Sequence, residues 1–117
     1  MPEYMLILHE STTGFADMSA EDIENVIAEY MAWSQSVAEK GKMVGGNKLR
    51  DEGGKMLTIT GGKLRVTDGP FAEAKEVIGG YFTINADDYD DAIETAQSCP
   101  HLKYGGRIEL REIEPTE

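Results

Sequence analysis

Three kinds of residue are scarce in this chain, and each scarcity excludes something. Cysteine occurs once, at Cys99. No disulfide can close within the chain, so a reducing, cytoplasmic compartment is expected. Histidine occurs twice, at His9 and His101. Together with one cysteine they offer no His-x-x-x-His or Cys-x-x-Cys spacing, so no metal and no cofactor is expected. Basic residues number 11 against 22 acidic, a formal net charge of −11. A nucleic-acid binder needs a basic footprint to neutralise phosphates, so direct binding of DNA or RNA is not expected. The same balance disfavours an anionic membrane surface. The acidity reads first as solubility, and a basic partner protein is the sharper alternative.

Long apolar runs are missing too. No segment approaches the roughly 18 apolar residues of a membrane helix, and Met1-Pro2-Glu3 lacks the basic start of a signal peptide. There is no Gly-x-Gly-x-x-Gly after a strand, no Walker-type lysine motif and no Gly-x-Ser-x-Gly elbow. Five Gly-Gly pairs mark bends and close approaches instead of a phosphate loop. What remains is a chain of 117 residues, 40% of them hydrophobic, which fits one domain at 1–117 with a core that needs no staples.

The periodicities that are present define elements. Tyr4-Met5-Leu6-Ile7-Leu8 is an apolar run short enough for a buried strand, which His9 and Glu10 are expected to end. Ser19 is a good N-cap, with Glu21 and Asp22 in the first turn of a helix. Ile23, Val26, Ile27, Tyr30, Ser34, Val37 and Ala38 form its apolar face, flanked by Met31 and Trp33, and Gly41 closes it. Residues 43–49 read as a strand. Residues 56–60 and 63–67 flank Gly61-Gly62, a two-residue hairpin signal. That register sets Ile59 opposite Leu64 and Leu57 opposite Val66 on one face, with Thr58 and Arg65 on the other. Asp87 or Asp88 caps a second helix with Asp90 and Asp91 in its first turn. Tyr89, Ala92, Ile93, Ala96 and Cys99 give its apolar face, and Pro100 its stop. Cys99 reads as a small core residue, and His101 as a residue just past the helix end. Arg107-Ile108-Glu109-Leu110-Arg111 alternates strictly and is a strand with one apolar face.

The stretch 66–84 organises the rest. Asp68-Gly69-Pro70 is a turn with a mechanism: Asp bonds its own backbone, Gly frees φ and Pro fixes it. Ala72-Glu73-Ala74-Lys75-Glu76 follows, then Gly79-Gly80 and an aromatic-rich strand at Tyr81. The element order is β-α-β-β-α-β with an inserted hairpin, an α+β ferredoxin-like pattern with an antiparallel sheet. Two helices cover one face of such a sheet. The other face carries apolar residues from the runs at 4–8 and 77–84, so a homodimer closed through that face, a dimeric α+β barrel, is expected.

Thr67-Asp68-Gly69-Pro70-Phe71-Ala72-Glu73, Lys75-Glu76 and Gly79-Gly80-Tyr81 resemble the signature of the DGPF-domain proteins of the YCII-related family. The opening strand, the Cys99-Pro100 helix end and the closing strand fit it as well. The resemblance implies a small bacterial α+β domain of ferredoxin-like type that dimerises through its sheets. It also implies, for some members, genes beside extracytoplasmic-function sigma factors, and for distant relatives a proposed His–Asp pair in lyase-like chemistry. Neither His9 nor His101 lies in a motif matching that pair.

Two functions follow as expectations. One is a dimeric small-molecule-binding or regulatory module tied to sigma-factor or stress-response genes. The other is a small lyase- or hydrolase-like enzyme with a pocket at the dimer interface. Its candidate catalytic residues are Asp68 and His9, carboxylate and imidazole being the groups that general acid–base chemistry needs. Phe71, Glu73, Lys75, Glu76, Tyr81 and Arg65 are the ligand-binding candidates. The bland readings stand beside these. His9 reads as a satisfied, partly buried histidine. Asp68 reads as a turn residue accepting from amides of residues 71–73, a role worth on the order of 1.5–3 kcal/mol.

Overall fold

The computed structural model describes residues 1–11, 18–69 and 76–116. Its elements in chain order are β1 (Glu3–Ser11), α1 (Ala20–Glu39), β2 (Met43–Lys48), β3 (Lys55–Thr60), β4 (Lys63–Asp68), β5 (Glu76–Asn85), α2 (Tyr89–Gln97), α3 (Pro100–Lys103) and β6 (Arg107–Glu112). Four strands form an antiparallel sheet in the order β2-β5-β1-β6, and β3-β4 pair separately. This is an α+β architecture compatible with the ferredoxin-like pattern.

Alternation in β1 decides which side is the core. Tyr4, Leu6 and Leu8 are buried beneath the helices, and Met5 and Ile7 face the other way, half-buried. Register carries the two faces across the sheet. Leu6 lies opposite Phe82 and Leu110, and Leu8 opposite Gly80 and Ile108. Trp33 and Val37 of α1, with Ala92, Ala96 and Cys99, close that core from above. Small residues on the second helix let it settle close to the strands. Trp33 meets the Phe82 ring edge-on at 4.9 Å, and its Nε1 donates to Ser98 Oγ at 3.1 Å. The one indole therefore ties α1 to the strands and to the end of α2, in the core where its size and N–H are both satisfied.

Both long helices begin as their caps dictate. Ser19 Oγ accepts from the Asp22 amide at 3.0 Å, and Asp88 Oδ1 from the Asp91 amide at 2.8 Å. Gly41 follows α1 at φ +74°, the left-handed residue that ends a helix cheaply. The hairpin has the expected register, Ile59 opposite Leu64 and Leu57 opposite Val66. Gly61 and Gly62 both take positive φ, the turn that matches strand twist.

Four expectations change in detail. β1 runs through His9 and Glu10, because β6 and β5 pair with those residues too. Pro100 does not only stop a helix: it opens α3, where it fits the first turn because its missing N–H has no intrahelical partner there. His101 is accordingly buried in α3. On α2 Ile93 is 51% exposed, and on α1 Ile23 and Ile27 do not join the core either. They are 37% and 53% exposed, and both line a groove between α1 and the sheet.

Candidate functional site

That groove is a concavity among the described residues. It has a volume of about 660 Å³ and runs between α1 and the β1-β5-β2 part of the sheet. Ile23, Ile27, Tyr30 and Met31 form one wall and Leu8 and Phe82 the other. Its floor is backbone. A Cβ at Gly80 would lie 2.7 Å from the Asn47 carbonyl oxygen, and one at Gly46 would lie 2.6 Å from that of Tyr81. Only glycine permits β2 and β5 to run that close, and no side chain rises from either residue into the space above. The volume falls within the few hundred to about 1,000 Å³ typical of small-molecule sites.

Among its polar lining residues are Glu10, Lys48, Asp51 and His101. His101 is buried, and both its nitrogens are engaged. Nε2 donates to the His9 carbonyl at 2.7 Å, which requires its proton, and Tyr30 Oη donates to Nδ1 at 2.9 Å. Burial pushes the Tyr30 phenol well above its ordinary value, so it remains a hydrogen-bond donor throughout the physiological range. Lys48 Nζ is 2.9 Å from Asp51 Oδ1, and the lysine's charge is compensated at the rim. The site therefore offers an apolar slot with a fixed Tyr–His pair beside it, and no concentration of positive charge.

The helix-free face carries a different arrangement. His9 and Glu109 lie diagonally across β1 and β6, and His9 Nε2 donates to Glu109 Oε1 at 2.9 Å. Arg111 Nη1 donates to the other oxygen at 3.2 Å. The His9 bond first, and the Arg111 bond next, hold the Glu109 carboxyl below its ordinary value. Arg107 forks onto Glu76, Nε at 3.0 Å from each oxygen, and that bond likewise lowers the Glu76 carboxyl. Tyr81, on the same face opposite Ile7, accepts from Asn47 Nδ2 at 2.9 Å. Among the candidates, His9, Glu76 and Tyr81 thus share one sheet face.

Asp68 and Arg65 are elsewhere, on the hairpin. The Asp68 carboxylate pairs with Lys55 Nζ, and it is 83% exposed. Arg65 lies on the opposite hairpin face, across from Thr58. Phe71, Glu73 and Lys75 fall outside the described residues, as do the amides expected to bond Asp68. No hydrogen bond or ion pair joins Asp68 to His9 among the described residues. Cys99 is buried, and burial pushes its thiol up to about 11, the condition of an inert core thiol. No group of three or more His, Cys, Asp or Glu among the described residues could hold a metal ion, and none of their helices is long and apolar enough to cross a membrane.

Sequence reasoning missed the groove, His101 and Glu109. The signal for His101 was Pro100 at a helix start. The signal for Glu109 was strand order, since β6 beside β1 puts alternate residues of the two strands on one face with His9. A family model described as YCII-related domain matches residues 3–117. No curated protein matches the chain.

Proposed function

The chain belongs to the YCII-related family, and we propose that it is a homodimeric small-molecule-binding module whose ligand enters the groove between α1 and the sheet. The observation that carries this reading is the groove itself: apolar walls, a glycine floor and a buried Tyr30–His101 pair. Its chemistry selects the ligand class. Apolar lining favours a ring or short hydrocarbon. The absence of uncompensated positive charge along the described rim disfavours a phosphate or polyanion. A regulatory role would then run through ligand-dependent contact with a protein partner, since an excess of 11 acidic charges repels nucleic acid.

Dimer closure through the helix-free face is supported by its half-buried Met5 and Ile7, continued by Ile78 at 50% exposure. Nothing in the helix layer covers these residues. Two such faces together make an α+β barrel and place His9 and Glu109 near its lining.

Trp33 supplies the test. Its ring touches Phe82, which lines the groove. The uncharged fluorophore N-phenyl-1-naphthylamine should quench Trp33 emission saturably at micromolar concentration. Ile27→Glu puts a charge into the apolar slot from a half-exposed position, so the fold survives and affinity drops about tenfold or more. Equal affinity in the variant and the parent chain would remove the groove as the binding site.

A further inference from the structure

The hydrogen bonds of the Tyr30–His101 pair decide what the phenol can offer a ligand. His101 Nε2 is 2.7 Å from the His9 carbonyl oxygen. A carbonyl only accepts, so that nitrogen carries the proton of the neutral ring and Nδ1 is bare. Tyr30 then gives its own proton to Nδ1, at 2.9 Å. What Oη retains is lone pairs, so it can only accept. Burial chiefly, with the Glu10 charge among the lesser causes, keeps the proton on the phenol. A ligand group that meets Oη has to be a donor.

The residue after His9 adds negative charge. Alternation along β1 puts Glu10 on the helix side, after Tyr4, Leu6 and Leu8. It is half-buried and lines the groove with Tyr30, His101 and Gly79. β5 is bulged across from it: Leu8 pairs with Gly80 and His9 with Ile78, so Gly79 is the extra residue. A Cβ at Gly79 would collide with Glu10 Oε1. The Glu10 carboxylate therefore occupies the space that glycine leaves at the bulge. The groove's other acidic lining residue, Asp51, is paired with Lys48. The ion pairs among the described residues include none to Glu10.

We propose that the ligand of this groove is an amine, protonated at neutral pH and carried on an apolar ring, and that Glu10 receives its ammonium group with the Tyr30 oxygen as second acceptor. This rests on the groove being the ligand site and names the ligand class it takes. A carboxylate holds an ammonium by a charge-assisted bond, roughly twice as strong as a neutral one. A carboxylate head on the ligand would meet acceptors alone at Glu10 and Tyr30.

Three naphthalenes that differ in the head group test this by titration calorimetry: 1-naphthylmethylamine, 1-naphthalenemethanol and 1-naphthoate. The amine should bind about tenfold tighter than the alcohol, and the naphthoate weakest. Glu10→Gln should bring the amine down to the alcohol's affinity and leave the alcohol unchanged. Gly79→Ala keeps every charge but forces the end of the Glu10 side chain to move, and should weaken the amine severalfold. Glu94→Gln removes one charge from an exposed position on α2 and should change nothing, which separates a local carboxylate from the net charge of −11. Equal affinity for amine and alcohol would overturn the proposal. So would an amine affinity untouched by Glu10→Gln or Gly79→Ala, or equal losses in Glu10→Gln and Glu94→Gln. In each of those cases an alcohol that still binds, and is weakened by Ile27→Glu, leaves the groove standing as the ligand site. Binding of none of the three removes the groove and the proposal together.

Discussion

At the scale of single residues, the chain keeps its charged groups in pairs that pH can separate. Lys42 Nζ lies 2.6 Å from Asp91 Oδ1, joining the loop before β2 to the first turn of α2. The Lys42 bond first, and the Asp87 amide next, hold the Asp91 carboxyl below its ordinary value. A carboxyl depressed in the folded state contributes stability above the unfolded value. That contribution is lost as pH falls through the folded one. Glu76 and Glu109 act in the same direction. Melting temperature should therefore fall on the acid side of the ordinary carboxylate range, and Asp91→Asn should flatten that fall while lowering stability at neutral pH. An unchanged acid limb in the variant would remove Asp91 from the account. Asp68 makes a second case. Its exposed pair with Lys55 is worth under about 1 kcal/mol. A loss of about 1.5–3 kcal/mol in Asp68→Asn, read by denaturant with the fold intact, is the outcome expected if the carboxylate also holds amides of residues 71–73. Full stability with lost function would mark it as a base instead.

At the scale of elements, the parts governed by local rules were legible. Ser19, and Asp87 or Asp88, are read as caps from residue type alone, with Asp88 the one the structure shows, and the hairpin register follows from Gly61-Gly62 and period-two apolar pairs. Replacing Gly62, at φ +78°, by Val should cost about 1–2 kcal/mol, concentrated in the hairpin and visible as faster amide exchange across β3 and β4. What local rules could not supply was distance. Helical spacing groups Ile23 and Ile27 with Val26 and Val37 on one stripe. It does not say that Val26 and Val37 are buried while Ile23 and Ile27 stay exposed along a groove. Gly46 and Gly80 were read as close approaches, and they are, yet their consequence is a floor without side chains that only the packed sheet reveals. The core contrasts with the groove here. Leu6 is fully buried in β1, and Leu6→Ala should cost about 2–5 kcal/mol by chemical denaturation, where Ile27→Glu costs far less.

At the scale of the whole molecule, charge and shape point the same way. A net charge of −11 gives the chain no reason to be retained on DNA, and salt-dependent retention at micromolar protein would contradict that reading. The helix-free sheet face and the groove are two surfaces with exposed apolar residues, Ile78 on the first and Ile27 and Met31 on the second. The account stands or falls on what the groove holds. The most direct measurement is a crystal structure of the chain grown with N-phenyl-1-naphthylamine. The account predicts two copies per assembly and density for the probe between Ile27 and the Gly46–Gly80 floor. Probe density confined to the helix-free face, with the groove closed by collapse of α1 onto the sheet, would contradict it.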